Sequence, residues 1–215
     1  KINVIYSGLD KRFFDEPKIS GQKILEKYGI TKKYIFFLGT LEPSKNITRL
    51  LEAFAKFKEK SKNGNEKFDY QLVLAGKRGW LSQEYLQTIK DLGLNKDVVF
   101  TGYIIGDELV PLFRNSHFFI MPSLHEGFGM TVLEAFATGT PAIISKVSSL
   151  PEIAEDAAFY INPMSTEELA EAMLKFSQDE NIRNEFRKKG LEQVKKFDWQ
   201  KTARETLEIY NSFKR

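Results

Sequence analysis

The stretch HEGFGMTVLEAFATGTPAIIS, residues 125–145, places a glycine-rich turn, a helix and a strand in one run. GFG (127–129) interrupts regular structure, MTVLEAFATG spaces its apolar residues as a helix does and closes at Gly139, and PAIIS is short and apolar. Just upstream, HFFIMPS (117–123) reads as a buried strand. Strand, turn, helix, strand is the repeating unit of a parallel sheet covered by helices. Two acids flank the glycines, Glu126 in the turn and Glu134 in the helix.

The alternation continues outward. YIFFLG (34–39), YQLVLAG (70–76) and DVVFTG (97–102) read as strands, with helices expected over ITRLLEAFAKFKEK (47–60), SQEYLQTIKDLGL (82–94) and GDELVPLFRN (106–115). SKNGNEKFD (61–69) is a polar loop. Downstream come a short helix in SSLPEIAED (148–156) and a last strand in AFYIN (158–162). From Thr166 the pattern is helical almost to the end, with breaks near Gly190 and Phe197–Trp199, and the opening KINVIYSGLD is strand-like. The expectation is one α/β domain over residues 1–215: a Rossmann-like parallel sheet of about six strands, helices on both faces, and closing helices. In such folds ligands bind beyond the carboxyl ends of the strands, which singles out the turns at 39–46, 76–80, 102–106 and 122–131.

With 215 residues, 42% hydrophobic content and 18 Phe, the chain can bury a real core. Zero Cys excludes disulfides and thiolate metal sites, and two His argue against a His-built metal centre. The lack of Cys fits a reducing, cytoplasmic setting. A net charge of +3 is too weak to imply nucleic acid. It suits an anionic ligand or an acidic membrane surface, so peripheral membrane association stays open. No apolar run reaches the roughly 18 residues needed to span a bilayer. The first residues carry neither an initiator Met nor a signal-peptide core, so a longer parent protein is expected. No G-x-G-x-x-G follows the first strand and no G-x-x-x-x-G-K-[ST] is present, against a dinucleotide oxidoreductase and a P-loop NTPase.

The turns carry the chemistry. Gly127 and Gly129 are expected to adopt positive φ and let a ligand approach the backbone, and the helix start after them favours an anion. GFGMT therefore fits a phosphate cradle, with Glu126 free to accept from neutral hydroxyls and Glu134 from a vicinal diol. A plain strand-to-helix turn with a surface glutamate fits the spacing equally well. In GTLEPSKN (39–46), Lys45 stands after a strand at an expected helix start, a place for a cation against a diphosphate, or for an ordinary solvated lysine. Lys77 and Arg78 in AGKRGW add positive potential, and Tyr103 and Ile104 in TGYIIG can flank a planar base; ordinary loop and packing roles fit them too. His125 borders the cradle, and His117 reads as a packing residue.

Taken in order, these blocks resemble the C-terminal, nucleotide-sugar-binding domain of retaining glycosyltransferases of the GT-B group, family 4. VIYSGLDKRFF is similar to the segment that opens that domain, LGTLEPSKNI to its basic loop, and LVLAGKRGW, VVFTGYI and MPSLHEGFGMTVLEAFATGTPAIIS follow in the family's order. VSSLPEIAEDAAFYINP and FDWQKTARETLEIY resemble its closing part. The resemblance implies one half of a GT-B fold, with an acceptor-binding N-terminal domain lying outside this chain. It makes Glu126 and Lys45 the catalytic residues of this half, Glu126 on donor-sugar hydroxyls and Lys45 on the diphosphate. Gly127, Phe128, Gly129, Met130, Thr131 and Val132 would form the cradle, Glu134 would bind the ribose, and Gly102, Tyr103 and Ile104 would lie near the base. The implied partners are a GDP- or UDP-hexose donor, with GDP-mannose favoured by the T-L-E-P-x-K-N variant, and a glycan or lipid-linked acceptor; no cofactor and no metal are implied. The chain departs from the pattern at Ser44 and Thr40, where a basic partner of Lys45 is usual, and at Ser7, where Asn is usual. Lys77 or Arg78 would then supply the second charge. A non-catalytic nucleotide-binding module and a relative such as a nucleotide-sugar 2-epimerase are the other readings.

Overall fold

In the computed structural model, residues 2–63, 69–77, 82–104 and 106–213 are described. The strands are β1 (Lys33–Leu38), β2 (Tyr70–Ala75), β3 (Val98–Gly102), β4 (Phe118–Met121), β5 (Ala142–Ser145) and β6 (Phe159–Ile161). A helix intervenes before each return to the sheet, so every strand pair is parallel. The order is β3-β2-β1-β4-β5-β6. The chain works outward from β1 to β3, then crosses back to place β4 on the other side of β1. Between β1 and β4 the winding reverses, the point at which parallel sheets of this kind generally take their ligands.

Alternate residues of YIFF (34–37) face opposite sides of the sheet and seed two cores. Tyr34 and Phe36 pack with α1 (Gly21–Tyr28), α4 (Leu109–Asn115), α5 (Met130–Ala137) and α6 (Leu150–Ala154). Ile35 and Phe37 pack with α2 (Ile47–Asn63), α3 (Ser82–Asp91) and α7 (Thr166–Gln178). All four side chains are fully buried, as a sheet covered on both faces requires. The chain ends in α8 (Glu180–Gln193) and α9 (Trp199–Ser212).

Three expectations are corrected. Residues 2–10 are not a strand: Leu9 N–H donates to the Phe197 carbonyl at 3.3 Å and Thr202 Oγ1 to that of Tyr6 at 2.6 Å, so this segment lies along the start of α9. Helix α1 went unread in the sequence although Ser20 caps its start and Gly29, at φ 66°, ends it. Gly190 does not break a helix. It lies inside α8 because a Cβ there would come within 2.7 Å of Phe136, so the glycine lets α8 approach α5.

The break falls instead at Asp179, whose carboxylate accepts from the amides of Asn181 (2.9 Å) and Ile182 (3.2 Å). Asp179→Ala is expected to lower stability by about 1 kcal/mol, the usual worth of such a cap. Urea denaturation measures it, and an unchanged midpoint would show that the α7–α8 break is held by packing alone. Among the described residues no helix is long and apolar enough to cross a membrane.

Candidate functional site

The turns after β1 and β4 meet at the reversal point. Leu124 N–H donates to the Ser44 carbonyl at 2.7 Å. Asn46, buried and left-handed at φ 60°, donates through Nδ2 to the carbonyls of Pro122 (3.1 Å) and Pro163 (2.7 Å). One side chain thus ties together the turns following β1, β4 and β6. Lys45 is not at the start of α2 as its sequence position suggested. It ends a tight 3-10 turn, Pro43–Lys45, and the left-handed Asn46 separates that turn from α2.

This geometry sends the Lys45 side chain across the crevice. Its Nζ donates to Glu126 Oε1 at 2.7 Å, and the buried Ser123 donates its hydroxyl to the same oxygen, also at 2.7 Å. The Lys45 and Glu126 side chains are only 19% and 11% exposed, so water screens the pair poorly. Ser123 was not singled out in the sequence, although it stands three residues before Glu126 in a strand-end turn.

Gly129 opens α5 at φ 106°, and a Cβ there would meet Leu150 at 2.9 Å. Gly127 differs from expectation. Its φ is not left-handed, and nothing lies within 4 Å of a Cβ built there, so its backbone is open to close approach. The Phe128 ring turns away toward Tyr6 (6.2 Å) and Phe197 (6.1 Å), which leaves its backbone as the part offered to a ligand. Met130 and Thr131 begin α5, where the first N–H groups have no acceptor within the helix. Val132 has a buried side chain and an N–H bonded to the Gly129 carbonyl at 3.0 Å, so it offers no free group.

Glu134 points to a different need. The residue is half-buried, yet its Oε2 is sealed from solvent and has no hydrogen-bond partner. Burial pushes its pKa up to about 7; the Arg12 charge opposes that rise and the Asp10 charge adds to it. A buried acceptor without a donor is costly, and a diol hydroxyl would satisfy it.

Beyond β1, β2 and β3, a cleft of about 360 Å³ is lined by Gly39, Thr40, Gly76, Lys77, Tyr103 and Ile104, among others. The Lys77 ammonium lies 5.0 Å from the centre of the Tyr103 ring, a cation–π contact at the cleft mouth. Gly102, at φ 73°, turns the chain out of β3 into this wall. Gly76 must be glycine: at φ 142° a Cβ would lie 2.0 Å from the Gly39 carbonyl oxygen. Arg78 lies outside the described residues. His117 is a packing residue, its ring tilted against that of Tyr70 and its Nδ1 hydrogen-bonded to the Tyr70 hydroxyl, while His125 Nδ1 is 2.9 Å from Ser148 Oγ beside the cradle. Among the described residues no cluster of His, Cys, Asp and Glu could hold a metal ion.

The arrangement thus places a cation, an open glycine backbone and a helix start, followed one turn on by a half-buried carboxylate, at the reversal point of a parallel sheet. The family model "Glycosyl transferases group 1" matches residues 21–193. The O-antigen chain mannosyltransferase B of Escherichia coli is 31% identical over 188 residues, which span 87% of this chain and 48% of that protein. The structure of Anabaena Alr3699/HepE, solved with UDP and glucose, superposes with a TM-score of 0.83 at 21% identity, over 98% of this chain and 57% of that one. The C-terminal domain of a group 1 glycosyltransferase, LpcC of Francisella tularensis, gives a TM-score of 0.72 at 24% identity, over 88% of this chain and 97% of that one. The chain spans about half the length of the curated relative named here. It belongs to the group 1 glycosyltransferases and has the fold of the C-terminal domain of their GT-B architecture.

Proposed function

We propose that this chain binds the nucleotide-sugar donor of a retaining glycosyltransferase whose parent transfers a hexosyl unit to a hydroxyl of a glycan or lipid-linked acceptor. The observation that carries the reading is the meeting of Lys45 and Glu126, 81 positions apart, at 2.7 Å beside the GFG turn. Structural packing alone does not call for a poorly screened ion pair at the mouth of a crevice. As the glycosidic bond breaks, negative charge grows on the leaving diphosphate, and Lys45 with the amides at the start of α5 would stabilise it. Glu126 would hold the hexose hydroxyls, Glu134 the ribose diol, and the wall made by Gly102, Tyr103 and Ile104 the base. Lys77 or Arg78 would supply the second charge that Ser44 and Thr40 lack. A mannosyl donor is favoured because the mannosyltransferase relative matches over most of the chain, and the T-L-E-P-x-K-N variant favours GDP-mannose as its form. The acceptor would be held by a domain outside this chain, in a cytoplasmic or membrane-peripheral parent, so the chain alone should bind donor without transferring sugar. Family membership disfavours a non-catalytic module.

Calorimetry with GDP, UDP and GDP-mannose tests the reading, with Glu126→Gln as the informative variant. The wild type should bind one of the diphosphates. Because Glu126 holds Lys45, its neutral isostere should bind bare GDP at least as tightly as the wild type and lose the extra affinity the hexose brings. Sugar transfer by the pure chain, or no diphosphate binding at all, would contradict it.

A further inference from the structure

We propose that Ser149 is a positioning residue for the donor cradle: its hydroxyl sets the two peptide planes that turn the Gly127 and Gly129 amides toward the ligand. The inference rests on the reading of the GFG turn as a diphosphate site.

Ser149 occupies the N-cap position of α6, where a serine side chain ordinarily accepts from an amide of its own helix. Here it makes no such bond. Its hydroxyl is turned instead to the GFG turn and lies 3.1 Å from the Glu126 carbonyl oxygen and 3.0 Å from that of Phe128, its one proton shared between them. The serine forgoes its local role for a contact more than twenty residues away in sequence.

The consequence follows from peptide planarity. In a trans peptide the carbonyl and the following N–H point in opposite directions. Drawing the carbonyls of Glu126 and Phe128 toward Ser149 therefore directs the N–H groups of Gly127 and Gly129 away from it. Gly127 is exposed, with open space where a side chain would stand, whereas Gly129 is buried against Leu150, the first residue of α6. The segment after β5 thus backs the turn, on the side away from the open space at Gly127. The neighbouring Ser148 supports the same assignment. It is held at φ 51°, a conformation costly for a non-glycine residue, and its hydroxyl meets His125 at the other end of the turn. The contact reaches Glu126 only at its main-chain carbonyl and touches neither the Glu126 carboxylate nor Lys45, so it acts on the backbone of the cradle.

The test compares Ser149→Ala and Ser149→Thr with the wild type in two measurements. In calorimetry with GDP and UDP, and with guanosine and uridine as controls, alanine should weaken diphosphate binding by about 3- to 10-fold, the worth of one hydrogen bond. Nucleoside binding should not change, and threonine, which keeps the hydroxyl, should restore the diphosphate affinity. In amide NMR of the ligand-free chain, the Gly127 and Gly129 resonances should shift and broaden in the alanine variant and stay in place in the threonine variant. If no diphosphate binds the wild type, the donor-site reading fails while the amide resonances still decide whether Ser149 sets the turn. Unmoved Gly127 and Gly129 resonances in a folded alanine variant would overturn the inference. Equal losses for nucleoside and diphosphate would overturn it too, because a merely structural bond would give that result.

Discussion

Lys45→Ala is expected to weaken GDP or UDP binding by about 10- to 100-fold and to leave guanosine or uridine binding unchanged, the worth of a charge-assisted hydrogen bond. The Lys45 side chain is already only 19% exposed, so little further desolvation stands against a bond to phosphate. Its partner sharpens the expectation. Without Lys45, the Glu126 carboxylate keeps only the Ser123 hydroxyl and faces the incoming phosphates with its charge uncompensated. Calorimetry on the single variants and on Lys45→Ala with Glu126→Gln completes a cycle, and the double variant should recover part of the loss. If nucleoside and diphosphate lose affinity equally, Lys45 serves the fold rather than the ligand.

Glu134→Gln is expected to reverse sign with the ligand. In the free protein the Glu134 carboxyl titrates at about 7, against an ordinary value of 4.5. Between those pH values the native state holds a proton that the unfolded chain has released, so stability falls as pH rises through the window, by about 3 kcal/mol in all. Glutamine carries no such charge. The variant should therefore match or trail the wild type at pH 4.5 and exceed it in urea denaturation above pH 7. Binding should go the other way. A diol donates to the charged carboxylate, so wild-type affinity for a ribonucleotide should rise with pH through about 7 and lie above that of the variant. A 2′-deoxy nucleotide, lacking one donor, should show a smaller difference. A stability gap that is the same at pH 5 and pH 8 would mean that Glu134 is not held protonated by the fold.

Much of this architecture was legible because periodicity is a local signal. Continuous apolar runs such as YIFFL and YQLVLA announce strands buried on both faces, and their alternation with amphipathic helices dictates a parallel sheet. The turns that form the crevice were legible for the same reason, since they follow strand ends. Contacts between distant turns were not. Nothing in GTLEPSKN states that Lys45 ends a 3-10 turn and reaches Glu126, because that depends on Asn46 taking a left-handed conformation and bonding two other turns. Ser149 was not singled out within SSLPEIAED, because no periodic signal shows that its hydroxyl leaves its own helix. Gly190 was misread because a glycine that admits a neighbouring helix has the same letter as one that ends a helix. The apolar residues of KINVIYSG suggested a strand, but these residues lie beside α9 rather than on the sheet.

The Phe128 ring, lodged between Tyr6 and Phe197, bears on the order in which the molecule assembles. Each strand–helix unit closes a short loop and can form early, whereas the bond from Thr202 to Tyr6 spans 196 positions and must await the closure of almost the whole chain. The anchor of the GFG turn is therefore expected to be among the last contacts made during folding and among the first lost when the ends fray. A refolding chain would recover its helical signal before its Phe128 contacts, and the ability to hold a ligand would mark the end of the process rather than its middle.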